Sequence, residues 1–356
     1  MRAGNNPLIF RKLQERIAAV CEGRNITIMH VCGTHEHTIA SNAMRSLLPE
    51  NVRVVSGPGC PVCITPKEDI ERVMELARSG VTVTTFGDML HVPCDSGTLG
   101  GLRSAGADVR IVYSITDALK IAESGRDVVH FGIGFETTVP TSSVALMSKT
   151  DNFSIYSVHR TIPDALDFLL SGDISVDAFI DPGHVATIIG AAPFVPLAEK
   201  YSHPHVVAGF EPLDVMAAVA MIADQLSRGE KKVENEYGRG VRWDGNKVAQ
   251  RAIDETFERY DAKWRALPEI PSSGLRIRDE YSGWDAECVY EDILNGFSYV
   301  PNTDESGCRC GDILLGRCAP ADCPLFGTVC TPDAPVGPCM VSHEGTCQIA
   351  HRYKNV

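Results

Sequence analysis

The stretch Val52–Gly80, "VRVVSGPGCPVCITPKEDIERVMELARSG", changes character twice within one short segment. "VRVVSG" is apolar and β-branched, as a buried strand is. "GPGCPVC" is a turn built on glycine and proline. "PKEDIERVMELA" then sets Ile70, Val73, Met74 and Ala77 on one face at helical spacing. Gly80 stands where such a helix stops. Strand, turn and helix in this order make half of a βαβ unit.

The pattern repeats in both directions. Further strands are expected at "ITIMHVC" (26–32), "VTVTTFG" (81–87), "VRIVYS" (109–114), "VVHFGIG" (128–134), "FSIYSVH" (153–159), "VDAFID" (176–181) and "HVVAGF" (205–210). Amphipathic stretches such as "ITDALKIAESG" (115–125) separate them. Alternating strands and helices predict an α/β fold with mostly parallel sheets covered on both faces. The length, 356 residues, exceeds one comfortable core. Two parallel-sheet lobes flanking a cleft are expected, at residues 25–126 and 127–230. Residues 1–24 read as an N-terminal helix. Residues 231–356 read as a helical, cysteine-rich C-terminal domain, with a long helix at 246–267 and a breaker-rich loop, "PEIPSSG", at 268–274.

Ligands in parallel α/β sheets gather outside the carboxyl ends of strands. "FGDML" (86–90), "FGIGFETT" (131–138) and "AGFEPLD" (208–214) each end an apolar run with Gly, Phe and an acid. Asp88, Glu136 and Glu211 are therefore candidates for the cleft, and equally for capping the next helix. His184, in "DPGHVATIIG" (181–190), stands at another such junction, where a structural hydrogen-bonding role is the ordinary reading.

A net charge of −13 with no basic stripe argues against nucleic-acid binding. No apolar run reaches membrane-spanning length, and charges interrupt the N-terminal pattern as they would not in a signal peptide. A cytoplasmic protein is expected, in a compartment where structural disulfides are rare. The thirteen cysteines then call for another explanation. Seven of them, Cys308, Cys310, Cys318, Cys323, Cys330, Cys339 and Cys347, fall in the last 49 residues.

Cys323, Cys330, Cys339 and Cys347 are spaced more widely than the tight pairs of zinc ribbons. Four thiolates so placed suit loops around a larger object, such as an iron–sulfur cluster; zinc and no metal are the alternatives. Cys308 and Cys310 read as a thiol relay or as substitute ligands, Cys318 as a packed thiol. In "VCGTHEHT" (31–38), Cys32, His35 and His37 follow a strand at a helix start, where a thiolate is favoured and could share a soft metal ion with an imidazole. The bland alternative is a packed cysteine with a surface histidine. Cys60 and Cys63 occupy a second strand-to-helix junction. No second CxxC exists to complete a zinc site, so a redox pair is the preferred reading. The sequence has no GxxxxGK[ST], no complete GxGxxG, no CxxxCxxC and no GxSxG.

Taken together, "CGTHEHT", "GPGCPVC", "FGDM", "GFETT", "DPGHV" and "CTPDAPVGPCMVSHEGTC" resemble the HypD family of [NiFe]-hydrogenase maturation proteins, from Met29 to Cys347. The resemblance implies a [4Fe-4S] cluster on Cys323, Cys330, Cys339 and Cys347. It implies a scaffold for the Fe(CN)2CO unit, shared with the small chaperone HypC, with HypE and HypF supplying cyanide through a thiocyanate. Cys32 would hold the nascent iron with a cysteine of HypC, His35 would lie close by, and Cys60 and Cys63 would be the cleft thiols. A cluster-containing disulfide reductase, a passive iron-binding scaffold and a zinc-stabilised structural protein are the competing expectations.

Overall fold

The structure, a computed structural model, describes residues 7–172, 174–300 and 307–353. All eight expected strands form. They are β1 (Ile26–His30), β2 (Val52–Ser56), β3 (Thr82–Thr85), β4 (Val109–Ile111), β5 (Val128–Gly134), β6 (Phe153–Arg160), β7 (Ala178–Pro182) and β8 (His205–Ala208). Three more follow: β9 (Val233–Asn235), β10 (Phe257–Trp264) and β11 (Leu267–Ile277). One sheet is wholly parallel, in the order β2-β1-β7-β8-β9. The other runs β10-β11-β6-β5-β3-β4, with parallel pairing from β6 to β4 and the β10–β11 hairpin added antiparallel.

The sheets do not divide at residue 126. The chain builds β1 and β2 in the first sheet, crosses to the second for β3–β6, returns for β7–β9, and crosses again for β10 and β11. Each expected lobe boundary therefore falls inside a sheet, because a crossover that changes sheets looks, in sequence, like one that stays. The region after 230 is likewise no separate domain, since it supplies strands to both sheets. The long helix expected at 246–267 stops at Thr256, and Phe257–Trp264 continues as β10. Phe257, Ala262 and Trp264 are buried there, with charged residues facing outward. The "PEIPSSG" segment is the β11 arm of that hairpin rather than a loop.

The expected N-terminal helix forms as α1 (Pro7–Val20); its first six residues lie outside the described ones. Ile17 is fully buried against the helix Pro212–Arg228, and Arg16 forks onto Asp224. After β1 the chain enters α2 (Gly33–Ser41). After β2 it enters the single turn α3 (Pro61–Ile64), then α4 (Lys67–Arg78), whose Ile70, Val73, Met74 and Ala77 are buried as their spacing predicts. No helix among the described residues is long and apolar enough to cross a membrane.

Beneath α2, Glu36 is buried between the His30 ring (Nε2 to Oε2, 2.7 Å) and the guanidinium of Arg45 (2.6 Å). Burial alone would raise this carboxyl, but Arg45 and His30 outweigh it and hold it at about 2. A depressed carboxyl contributes stability above its unfolded value and loses it as pH falls toward the folded one. Glu36→Gln is expected to cost roughly 2–3 kcal/mol at neutral pH, allowing for the solvent around Arg45. The gap to wild type should close as pH falls from about 5 toward 2, as read by urea unfolding across that range.

Candidate functional site

The carboxyl ends of both sheets open onto one cavity of about 670 Å3. Its walls carry residues that follow β1 (Cys32, Thr34), β2 (Gly59, Pro61), β3 (Asp88), β5 (Phe135, Thr138) and β7 (His184). The cleft expected between lobes therefore exists, as a crevice between two interleaved sheets. Much of its wall is apolar, with Val31, Val62, Phe86, Ile133 and Val185 facing it. The N-termini of α2 and of the helix Val139–Ser148 open on the cavity and favour negative charge within it.

Cys32 is the residue preceding the first turn of α2 and is 8 % exposed. Burial pushes its thiol up to about 11, and Glu344 adds to this, while the N–H groups of His35 and Thr34 and the Thr34 hydroxyl oppose it. Gly59 fixes the neighbouring loop against this cysteine. A Cβ at Gly59 would collide with the Cys32 backbone nitrogen, and Gly33 N–H points to the Gly59 carbonyl at 3.4 Å. Cys60 and Cys63 follow directly. They are joined as a disulfide and buried, with Cys63 N–H donating to Cys60 Sγ at 3.2 Å and Pro61 opening the helical turn. The two thiol elements, distant in sequence, are thus in backbone contact.

His35 does not share the cavity. Its side chain turns into the core, where Nε2–H donates to the Gly209 carbonyl at 2.9 Å and the ring stacks on Phe210. Burial, then the nearby His30, lowers its pKa to about 3, so the ring is neutral. The third residue of a helix that follows a buried strand is as readily aimed at the next strand as at the crevice, and only the rotation of α2 decides. His37 meets Tyr353 instead. His184, expected to be structural, stands in the cavity wall with its ring stacked on Phe210 at 3.7 Å. Of the three acids, Asp88 lines the cavity. Glu136 turns away to accept the Ile162 N–H, and Glu211 caps the helix Pro212–Arg228 together with Asp214. Ser342 and Glu344 also line the cavity, from within the cysteine-rich tail, where no local pattern in the sequence marks them.

Cys323, Cys330, Cys339 and Cys347 do converge, together with Cys308 and Cys310, on one small enclosed cavity. Five of the six are buried and Cys308 is partly so. Among the described residues, no carboxylate or imidazole shares the wall. The six cysteines line that space together. That space measures about 10 Å3. Cys310 Sγ and Cys339 Sγ touch at 2.8 Å, a pairing the four-cysteine expectation did not contain. Burial and mutual repulsion hold Cys308 up to about 12 and raise Cys347 as well, a cost that a cationic occupant removes. Soft sulfur donors, low exposure and mutual crowding fit an iron–sulfur cluster. The turn Pro338–Met340, which carries Cys339, packs on α3. Cysteine cavity, CxxC turn and Cys32 therefore form one continuous sulfur-rich seam.

The HypD family model, described as "Hydrogenase formation hypA family", matches residues 9–354. The chain belongs to the HypD family. A putative hydrogenase expression/formation protein of Methanocaldococcus jannaschii is 47 % identical, covering 99 % of this chain and 99 % of its own. The hydrogenase maturation factor HypD of Cupriavidus necator is 42 % identical over 96 % of this chain and 94 % of its own. That of Escherichia coli is also 42 % identical, over 93 % and 90 %. The HypD-family chain described here is accordingly a hydrogenase maturation factor.

Proposed function

We propose that this HypD-family chain is the scaffold on which the Fe(CN)2CO unit is assembled, in complex with a HypC-type chaperone and with HypE, served by HypF, as cyanide donor. The observation that carries the reading is the position of Cys32, a helix-start thiol in the wall of a mostly apolar crevice and in backbone contact with the CxxC turn. Iron enters as substrate. Cys32 supplies one thiolate, and a cysteine of the chaperone supplies another. Iron offsets the burial that keeps the free thiol protonated. The helix N-termini favour an anionic cargo, and the apolar walls limit water around it.

Release of cyanide from a thiocyanate needs two electrons: R–S–C≡N + 2e− gives R–S− and CN−. The Cys60/Cys63 dithiol provides them by closing to the disulfide with loss of two protons. The cysteines of the enclosed cavity would hold a [4Fe-4S] cluster, which would supply one-electron chemistry beside this seam. Thiol–disulfide exchange between Cys310/Cys339 and Cys60/Cys63 moves two electrons as a pair, one couple oxidised as the other is reduced. Contact between Cys310 and Cys339 supports assigning them to this dithiol. Cys308, Cys323, Cys330 and Cys347 then remain as ligands, a revision of the set that sequence resemblance implied. Cytoplasmic residence is part of the same proposal, since the dithiol state needs a reducing compartment.

Cys60→Ser tests whether the chain is an active participant. The variant, isolated anaerobically with its chaperone, should keep its iron and lose at least about tenfold in infrared cyanide-band intensity. Full cyanide bands in Cys60→Ser would leave a passive scaffold as the better reading.

A further inference from the structure

The seam works only if the cysteine-bearing tail keeps its place against the crevice, and Asp88 contributes a tie on the crevice side. Asp88 leaves β3 at its carboxyl end, in the turn Gly87–His91. Its Oδ2 accepts Ser342 Oγ–H at 2.9 Å and the His343 backbone N–H at 3.2 Å. Ser342 Oγ in turn accepts the Glu344 N–H at 3.2 Å. The tied stretch lies between Cys339 and Cys347 and follows the turn that packs on α3. Gly337 and Gly345 flank it, closely packed on Cys308 and on the Cys339 carbonyl. A second tie, Ser56 Oγ to Thr346 Oγ1 at 2.8 Å, holds the far end.

We propose that Asp88 is a positioning residue that fastens the segment 338–345 to the crevice wall and thereby sets the separation between the Cys310/Cys339 thiols and the Cys60/Cys63 pair. The inference rests on the electron route proposed above. Both donors to Asp88 are neutral and both converge on a single oxygen. An asparagine side-chain oxygen can accept the same two bonds, whereas alanine accepts neither. The role therefore requires an acceptor and not a negative charge, which separates it from a base or an iron ligand at the same position.

The test uses the full-length, cluster-loaded protein with Asp88→Ala and Asp88→Asn. Hydrogen exchange of residues 338–345 should rise in the alanine variant and stay near wild type in the asparagine variant. Dithionite supplies the two electrons that open the Cys60–Cys63 disulfide, with two protons from solvent. The opening, followed by alkylation and peptide mapping, should slow on the order of tenfold in Asp88→Ala and recover in Asp88→Asn. Iron and sulfide content should not change. Wild-type exchange and rate in Asp88→Ala would overturn the proposal, as would an asparagine variant as slow as alanine. Should Asp88→Ala fail to fold, Ser342→Ala removes one of the two bonds to Asp88, together with the acceptor of the Glu344 N–H, so the reading is taken at the His343 amide, which must lose part of its protection; full protection there overturns the tie. A wild-type disulfide that reduced cluster-loaded protein never opens would remove the electron route, while the exchange comparison would still decide the tie.

Discussion

Serine at Cys323 or Cys330 is expected to reduce anaerobically isolated protein from about four cluster irons per chain to nearly none, with acid-labile sulfide lost in parallel. Both cysteines face the enclosed cavity and both belong to either reading of the ligand set. The effect should extend to the fold of the tail. Residues 307–353 contain only short helical turns and bends, and much of their buried surface is the cysteines themselves with Ile313, Leu314, Met340 and Ile349. A segment with so small a core is expected to depend on a bound group. Proteolysis within it should therefore accelerate in the variants while the two sheets stay intact. Cys308→Ser and Cys339→Ser separate the two ligand sets. Cluster loss in the first with retention in the second is expected from the Cys310–Cys339 contact. The opposite pattern restores Cys339 as a ligand.

Cys32→Ala is expected to have the second large effect, on the cargo and not on the cluster. The side chain is small and sits at a helix start, so its truncation costs little packing. The cluster irons are expected to remain, and the additional iron expected in the proposed chaperone complex should fall from about one per complex to background. In the proposed complex a single chaperone thiolate is not expected to retain a soft ion in a crevice whose other facing groups include Asp88, Glu344 and the exposed His184. Iron counting with and without the chaperone measures this directly. Retention of the extra iron in Cys32→Ala would move the cargo site to other ligands.

The sequence made the strands legible because each is a short β-branched run closed by glycine or proline. It made Cys32 and the CxxC pair legible because strand-to-helix junctions of parallel sheets face the ligand crevice. Sheet membership was not legible: nothing in the crossover from β2 to β3, or from β6 to β7, marks a change of sheet. The β10 strand was hidden because Phe257 and Tyr260 also fit the helical spacing of the preceding α-helical turn, while the alternation that buries Ala262 and Trp264 begins only later. His35 was misplaced because spacing along a helix start fixes a residue's height and not its direction. The Asp88 tie joins residues more than 250 apart and left no local pattern; it had to be seen in three dimensions.

In the proposed function Cys32 holds the cargo iron in the crevice. Infrared spectroscopy of the anaerobically isolated complex with its small chaperone, wild type against Cys32→Ala, tests it most directly. Cyanide and carbonyl stretching bands in the wild type and none in the variant are predicted. Bands of equal intensity in both would contradict the assignment.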